Sequence, residues 1–301
     1  MAFIGCKAKN TFARRRSFVL GNACWAKKKI LEVKKYNMEY QLNNLTVFEY
    51  GTRISATLSM DSKADLKKLL QTRPDTNVKV GFMSDSFDKS YQEEDLNILN
   101  ELNNIECIYF WINIIKDYSG LYCLKNLKVY NNLTDEKWGV DFGYFSEIID
   151  IECYWNKSVK NLFSRAKLEH LILRKYKPNK INDLSEFKNL TNLVDLTITQ
   201  SSIVSLVGIE NLTKLEELTL AYNPKLEQTV SSKIKLENVK SLIIESCKKL
   251  DNSFIDLFPN LENRYRRLGR IIFLHFKRIG LLFINFTRSK SNIVPKLFLL
   301  L

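Results

Sequence analysis

Two histidines, His170 and His275, are the only imidazoles in 301 residues, so proton-transfer chemistry has few places to start. His170 is the better candidate, because the spacing described below sets it beside Asp150 and Glu152. A histidine flanked by carboxylates can relay a proton, but a reaction also needs a nucleophile, a metal or an oxyanion site. The sequence offers no H-E-x-x-H, no Ser/His/Asp arrangement within a motif and no phosphate-cradling glycine loop. A lone surface histidine among charges reads as a contact or salt-bridging residue, and the chain is expected to be non-enzymatic, without cofactor or metal. Six cysteines (6, 24, 107, 123, 153 and 247) form no C-x-x-C pair and no metal-ligand spacing. Cys107 reads as a core strand residue and Cys247 as a turn residue. Both are expected to behave as small hydrophobes in a reducing, cytoplasmic compartment.

The elements that would position these residues are organised around 189–223, NLTNLVDLTITQSSIVSLVGIENLTKLEELTLAYN. It holds Leu193-x-x-Leu196-x-Ile198 and Leu215-x-x-Leu218-x-Leu220, 22 residues apart. Ile203, Leu206, Ile209 and Leu212 lie between them, with an aliphatic residue at nearly every third position. The same template fits Leu102/Ile105/Cys107, Leu124/Leu127/Val129, Ile149/Ile151, Leu168/Leu171/Leu173 and Val239/Leu242/Ile244. Its middle residues fall at 105, 127, 149, 171, 196, 218 and 242, in steps of 22, 22, 22, 25, 22 and 24. Three residues around Lys177-Pro178-Asn179 loop out to make the step of 25. In the third repeat Ser146 stands where the leading leucine should be, after an aromatic arc of Trp138, Phe142 and Phe145.

This pattern resembles the leucine-rich repeat superfamily, and its 22-residue spacing is similar to the short repeats of internalin-type proteins, over about 102–261. The resemblance implies an α/β solenoid, one short strand and one irregular return arc per coil, with a parallel β-sheet on the concave face. It also implies an Asn, or less often a Cys, five residues after the middle leucine, bonding the backbone of adjacent coils. Asn132, Asn223 and Cys247 match; Phe110, Tyr154, Tyr176 and Ser201 do not. Non-enzymatic adaptor or inhibitor-like binding of a protein partner is the implied function, with a monomeric scaffold.

Alternation along the strands predicts which side chains line the sheet. One outward column reads Asn104, Asn126, Ile148, His170, Asp195, Glu217, Ser241; the next reads Glu106, Lys128, Asp150, Ile172, Thr197, Thr219, Ile243. A third reads Ile108, Tyr130, Glu152, Arg174, Thr199, Ala221, Glu245, with Tyr109, Lys175 and Tyr222 at its edge. Tyr and Arg bury large area at modest entropic cost, so Tyr130, Arg174 and Tyr222 are the expected anchors for a partner. Asp150, Glu152 and Glu217 complete the expected binding set.

The formal charge of +13 divides unevenly. Residues 1–37 carry ten Lys/Arg against Glu32 alone, and 264–301 carry nine with no acid. The body, 38–263, holds 27 basic and 32 acidic residues, which argues against a phosphate-tracking, nucleic-acid-binding surface there. The basic leader 1–37 reads as disordered or non-native, with Met38 the natural initiator, or as a transit peptide. The apolar, basic tail 264–301 reads either as a membrane-surface segment or as non-native sequence. Tethering by these ends is the alternative function, a peripheral membrane-associated repeat protein. Between leader and repeats, 38–101 reads as an N-terminal αβ cap. It comprises a β-rich 44–59 with a turn at Gly51-Thr52, a helix over 63–70 with a capping box of Ser62 and Asp65, a strand over 77–83 and an amphipathic 94–102.

Overall fold

A computed structural model describes residues 38–300 except 51–52, 59–61, 81–95, 111–116, 136–137, 179–180, 228–233, 251–252, 269–270, 277–279 and 289–292; over 263–300 it describes the backbone. One 15-stranded sheet runs through it in strict chain order. Three strands, β1 (Met38–Leu42), β2 (Leu45–Tyr50) and β3 (Arg53–Leu58), open it as an antiparallel meander. A helix, α1 (Lys63–Thr72), then carries the chain back so that β4 (Asn77–Val80) runs parallel to β3. Seven parallel strands follow: β5 (Cys107–Phe110), β6 (Val129–Asn132), β7 (Asp150–Tyr154), β8 (His170–Arg174), β9 (Asp195–Thr199), β10 (Glu217–Ala221) and β11 (Ser241–Glu245). A further parallel strand, β12 (Asn263–Leu268), turns into an antiparallel run of β13 (Ile271–Phe276), β14 (Gly280–Arg288) and β15 (Ile293–Leu300).

The returns from one parallel strand to the next are arcs, most of them closed by a short 3-10 turn, among them Ser119–Cys123, Leu162–Ser164 and Ile209–Asn211. Arc leucines such as Leu121, Leu184 and Leu212 pack against the inward strand residues, so that every coil buries its own apolar stripe on its neighbour. The coils form a leucine-rich repeat solenoid. The cap belongs to the same sheet: Ala56, Val78 and Ile108 stand in one register column, all fully buried.

The helix begins where the Ser62 signal puts it, but by a different device. Ser62 makes no side-chain cap bond to the helix, and its hydroxyl donates to Thr57 O at 3.2 Å. Asp65 accepts from Asn43 Nδ2 at 2.8 Å and from Asn44 N at 3.4 Å, tying α1 to the β1–β2 turn. The expected strand at 77–83 is described over Asn77–Val80, and residues 81–83 lie outside the described set.

Strand register corrects the repeat template in its first half. Leu171, Leu196, Leu218 and Leu242 share one column, as expected. Continued toward the N-terminus, that column holds Ile151, Tyr130 and Ile108, not 149, 127 and 105. The middle residues are therefore 108, 130, 151, 171, 196, 218 and 242, and the leading apolar residues of the first three repeats are Ile105, Leu127 and Ile148. The arcs cause the slip. Their own period of three (Leu121, Leu124, Leu127, Tyr130) lets the template fit one step early. With Ile148, Ile151 and Cys153 as its apolar set, the third repeat needs no missing leucine.

Candidate binding face

A slip of three residues inverts which side a strand residue faces, and one of two residues preserves it. Tyr130 is consequently not on the sheet surface. It is 2% exposed, its ring lies 5.3 Å from Phe142 and 5.7 Å from Phe110, and its hydroxyl accepts from Asn132 Nδ2 at 3.2 Å. The outward residue beside it is Asn131, which pairs in register with Tyr109 and Glu152. Cys107, expected in the core, occupies an outward register position beside Val129 and is half-buried.

The observed outward columns place the other expected residues. Asp150, His170, Asp195, Glu217 and Ser241 stand in line across β7 to β11. Glu152, Ile172, Thr197, Thr219 and Ile243 form the second column; Tyr154, Arg174, Thr199, Ala221 and Glu245 form the third. Five of the six expected contact residues, Asp150, Glu152, Arg174, Glu217 and Tyr222, thus lie on or at the edge of one face, and Tyr130 does not.

The centre of that face is a buried ion pair. Arg174 Nη2 bonds Glu152 Oε1, and Asn131 Nδ2 donates to Glu152 Oε2. Both charged side chains are more than nine-tenths buried, so their charges are spent on each other rather than offered to solvent. Tyr154 closes over the pair. The Arg174 guanidinium carbon lies 5.7 Å from its ring centroid and Lys175 Nζ 5.5 Å. Burial pushes the Tyr154 phenol above its usual range, with the Arg174 cation opposing. Lys175 also pairs with Asp135, which reaches across β7 from the loop after β6. Beneath this layer Cys153 is buried, and loss of solvent pushes its thiol up to about 12, so it is no nucleophile at neutral pH.

Strand ends add a second recurring feature. Lys175, Gln200, Tyr222 and Ser246 each follow the last residue of β8, β9, β10 and β11, and each has φ near +55°. That left-handed turn swings Tyr222 back over the sheet, where its hydroxyl donates to Glu245 Oε1 at 2.8 Å. Just below it lies the expected asparagine rung. Asn223 Nδ2 donates to Ile198 O at 3.0 Å, and its Oδ1 accepts from Ser201 N and Oγ at 2.9 and 2.7 Å. Cys247 makes the corresponding contact from its Sγ to Leu220 O at 3.5 Å. Asn132 is not part of this ladder. It lies at an inward strand position and bonds Tyr118, Tyr130 and Thr134, while Asn156, five residues past Ile151, donates to Trp138 O in the preceding coil.

No assembled reactive centre accompanies His170. It is flanked in register by Asp150 and Asp195, while Glu152 is held by Arg174 and Asn131. Its Nδ1 is buried without a hydrogen-bond partner, so no base orients it. Among the described residues, no group of three or more His, Cys, Asp and Glu side chains could hold a metal ion, and no helix is long and apolar enough to cross a membrane. The side chains of His275 and of the rest of the tail lie outside the described set. Sequence reasoning missed Asn131, Tyr154 and the Lys175–Asp135 pair. Only the corrected register could have brought the first two onto this face.

No family model matches the chain, and no curated protein matches it. Among solved structures, the internalin InlF from Listeria monocytogenes str. 4b F2365 is similar at 16% identity; the match covers 65% of this chain and 68% of that one with a TM-score of 0.42. The functional domain of InlJ from Listeria monocytogenes, which includes a cysteine ladder, is similar at 12% identity over 62% of this chain and 51% of that one, with a TM-score of 0.27. The assignment of the fold rests on the register columns, arcs and rungs described above.

Proposed function

We propose that this chain is a non-enzymatic scaffold that binds a protein partner on the open face of its sheet. The observation that carries this reading is the preorganisation of the face. The Arg174–Glu152–Asn131 network, the Tyr154 lid and the Tyr222–Glu245 bond hold its side chains in place before any partner arrives. Fixed side chains lose little freedom on association, so more of the contact energy remains as affinity. Half-exposed Asp150, Glu217 and Tyr222 are the contacts; buried Glu152 and Arg174 position the floor beneath them.

The test is capture of the partner from the native source, followed by measured affinity for variants of both sides of the solenoid. Tyr222→Ala with Glu217→Ala should weaken binding by about 2 kcal/mol or more while leaving the thermal midpoint nearly unchanged. Trp138→Ala with Tyr144→Ala, which removes exposed rings from loop and arc, should leave affinity alone. The reverse result would move the site to the arcs.

A further inference from the structure

The open face does not end at β11. Register carries its positions from Ser241, Ile243 and Glu245 onto Asn263, Tyr265 and Arg267 of β12, and then onto Phe276, Leu274 and Ile272 of β13. On β14 and β15 the same face holds Leu282, Ile284 and Phe286 beside Leu299, Leu297 and Pro295. On β9 and β10 it holds Asp195, Thr197, Glu217 and Thr219. A mixed polar surface thus gives way, over β13–β15, to an apolar one with a single charged position, Arg288. The opposite face changes as well, because Leu242 and Ile244 of the core column stand in register with Arg264 and Arg266.

The connections cannot supply a cover for this surface. Seventeen residues separate β9 from β10, enough for a return arc, whereas two separate β12 from β13, three β13 from β14 and four β14 from β15. Four residues reach about 14 Å when fully extended, and a strand as long as β14 runs about 30 Å. The charge of the segment selects what does cover it. Residues 264–301 hold nine Lys/Arg and no acid. Arg270, Lys277, Arg278, Arg288 and Lys290 fall at strand ends or between strands, and no Lys or Arg stands within 271–276 or 280–287. Cations therefore rim the apolar rows. A second copy of the chain would set the same nine cations against them. An anionic lipid surface brings phosphates to the rim and acyl chains to the rows.

We infer that β13–β15 dock on an anionic lipid surface through the face that carries Leu282 and Leu299, with the cations at headgroup level. The strands lie on the bilayer rather than cross it, because an open sheet edge carries N–H and C=O groups that hydrocarbon cannot satisfy. Lipid is a second occupant of this sheet, additional to the protein partner proposed for β7–β11, and neither reading rests on the other.

The experiment uses the full chain and co-sedimentation with vesicles of phosphatidylcholine alone or mixed with phosphatidylserine, at low and high salt. The chain should sediment with the mixed vesicles and not with phosphatidylcholine alone, and high salt should weaken the binding. Lys277→Ser with Arg278→Ser should weaken it at least about tenfold at an unchanged thermal midpoint. Leu282→Asp with Leu299→Asp, neighbours in register, should abolish it. If the aspartate pair fails to fold, the serine pair decides alone. Failure to bind the mixed vesicles overturns the inference, as does equal binding to both vesicle types or unchanged binding by either folded pair. A lipid-free dimer that Leu282→Asp with Leu299→Asp dissociates makes a second copy the occupant and also overturns it.

Discussion

The solenoid has two halves that solve one packing problem differently. From β8 to β11 the middle residues are Leu171, Leu196, Leu218 and Leu242, all at most 1% exposed, and Asn223 and Cys247 stitch coil to coil. From β5 to β7 that column passes through Tyr130, and the core around it is aromatic: Phe110, Tyr118, Phe142 and Phe145 meet in tilted and edge-on pairs. Rings fill more volume than leucines and bring hydroxyls with them. A polar residue, Asn132, can therefore sit at an inward position, donating to Tyr118 Oη at 2.8 Å. A repeat constrains register and filled volume, not residue type.

The largest effects should come from emptying either core. Tyr130→Ala should cost about 3–5 kcal/mol and Leu218→Ala about 2–5 kcal/mol in chemical denaturation, since each leaves a cavity shared by neighbouring coils. Tyr130→Phe keeps the ring and removes the hydroxyl that accepts from Asn132, at about 1 kcal/mol. A loss below about 1 kcal/mol for Tyr130→Ala would return Tyr130 to the surface and undo the difference between the halves.

Next in size is the ion pair that lies at the junction of the halves. Glu152→Ala leaves Arg174 buried without its carboxylate and should destabilise by about 3 kcal/mol. The double variant Glu152→Met with Arg174→Met should recover most of that loss, because the isolated charge is what costs. If the single and double variants were equally unstable, packing rather than charge would explain the pair.

The rung contrast is smaller. Asn223→Ala strips a donor from Ile198 O and an acceptor from Ser201, all buried, and should cost about 1–3 kcal/mol. Cys247→Ala loses weak sulfur contacts, among them those to Leu220 O and Glu245 O, and a little volume, and should cost about half as much. Equal losses would mean that the rungs act by filling space.

How far the fold could be read from the sequence follows the same division. Where strands read Leu-x-x-Leu-x-Leu, as at 215–220, register, facing and the Asn223 rung were all legible, because the leading leucine has one possible place. Where Tyr130 replaces a leucine, the arc residue Leu124 offered a false start three residues early. That slip turned Tyr130 outward and hid Asn131. Tyr154 was missed for a related reason: the Ile149/Ile151 reading put Glu152 in its column. Neither Gly208 nor Gly139 carries a pattern signal. Yet a Cβ on Gly208, at φ +102°, would lie 2.4 Å from the backbone of Leu184, and one on Gly139 would lie 2.2 Å from that of Ser158. Such close approaches belong to three-dimensional contact between coils and leave no period in the sequence.

The smallest expected effect is the sharpest check on facing. Thr219 lies between Leu218 and Leu220, half exposed, with Thr197 and Ile243 beside it in register. Alanine there removes a methyl and a hydroxyl from an open surface and leaves the core column untouched. The loss should stay within about 0.5 kcal/mol, even though threonine favours strands somewhat more than alanine. Leu218→Ala, one residue away on the same strand, is expected to cost several times more. The pair thus measures facing at one point on the chain, free of differences in strand position or coil type. If Thr219→Ala cost as much as Leu218→Ala, β10 would be turned over. Glu217, and Asp195 beside it in register, would then face the core, and the proposed docking face would have to be sought elsewhere.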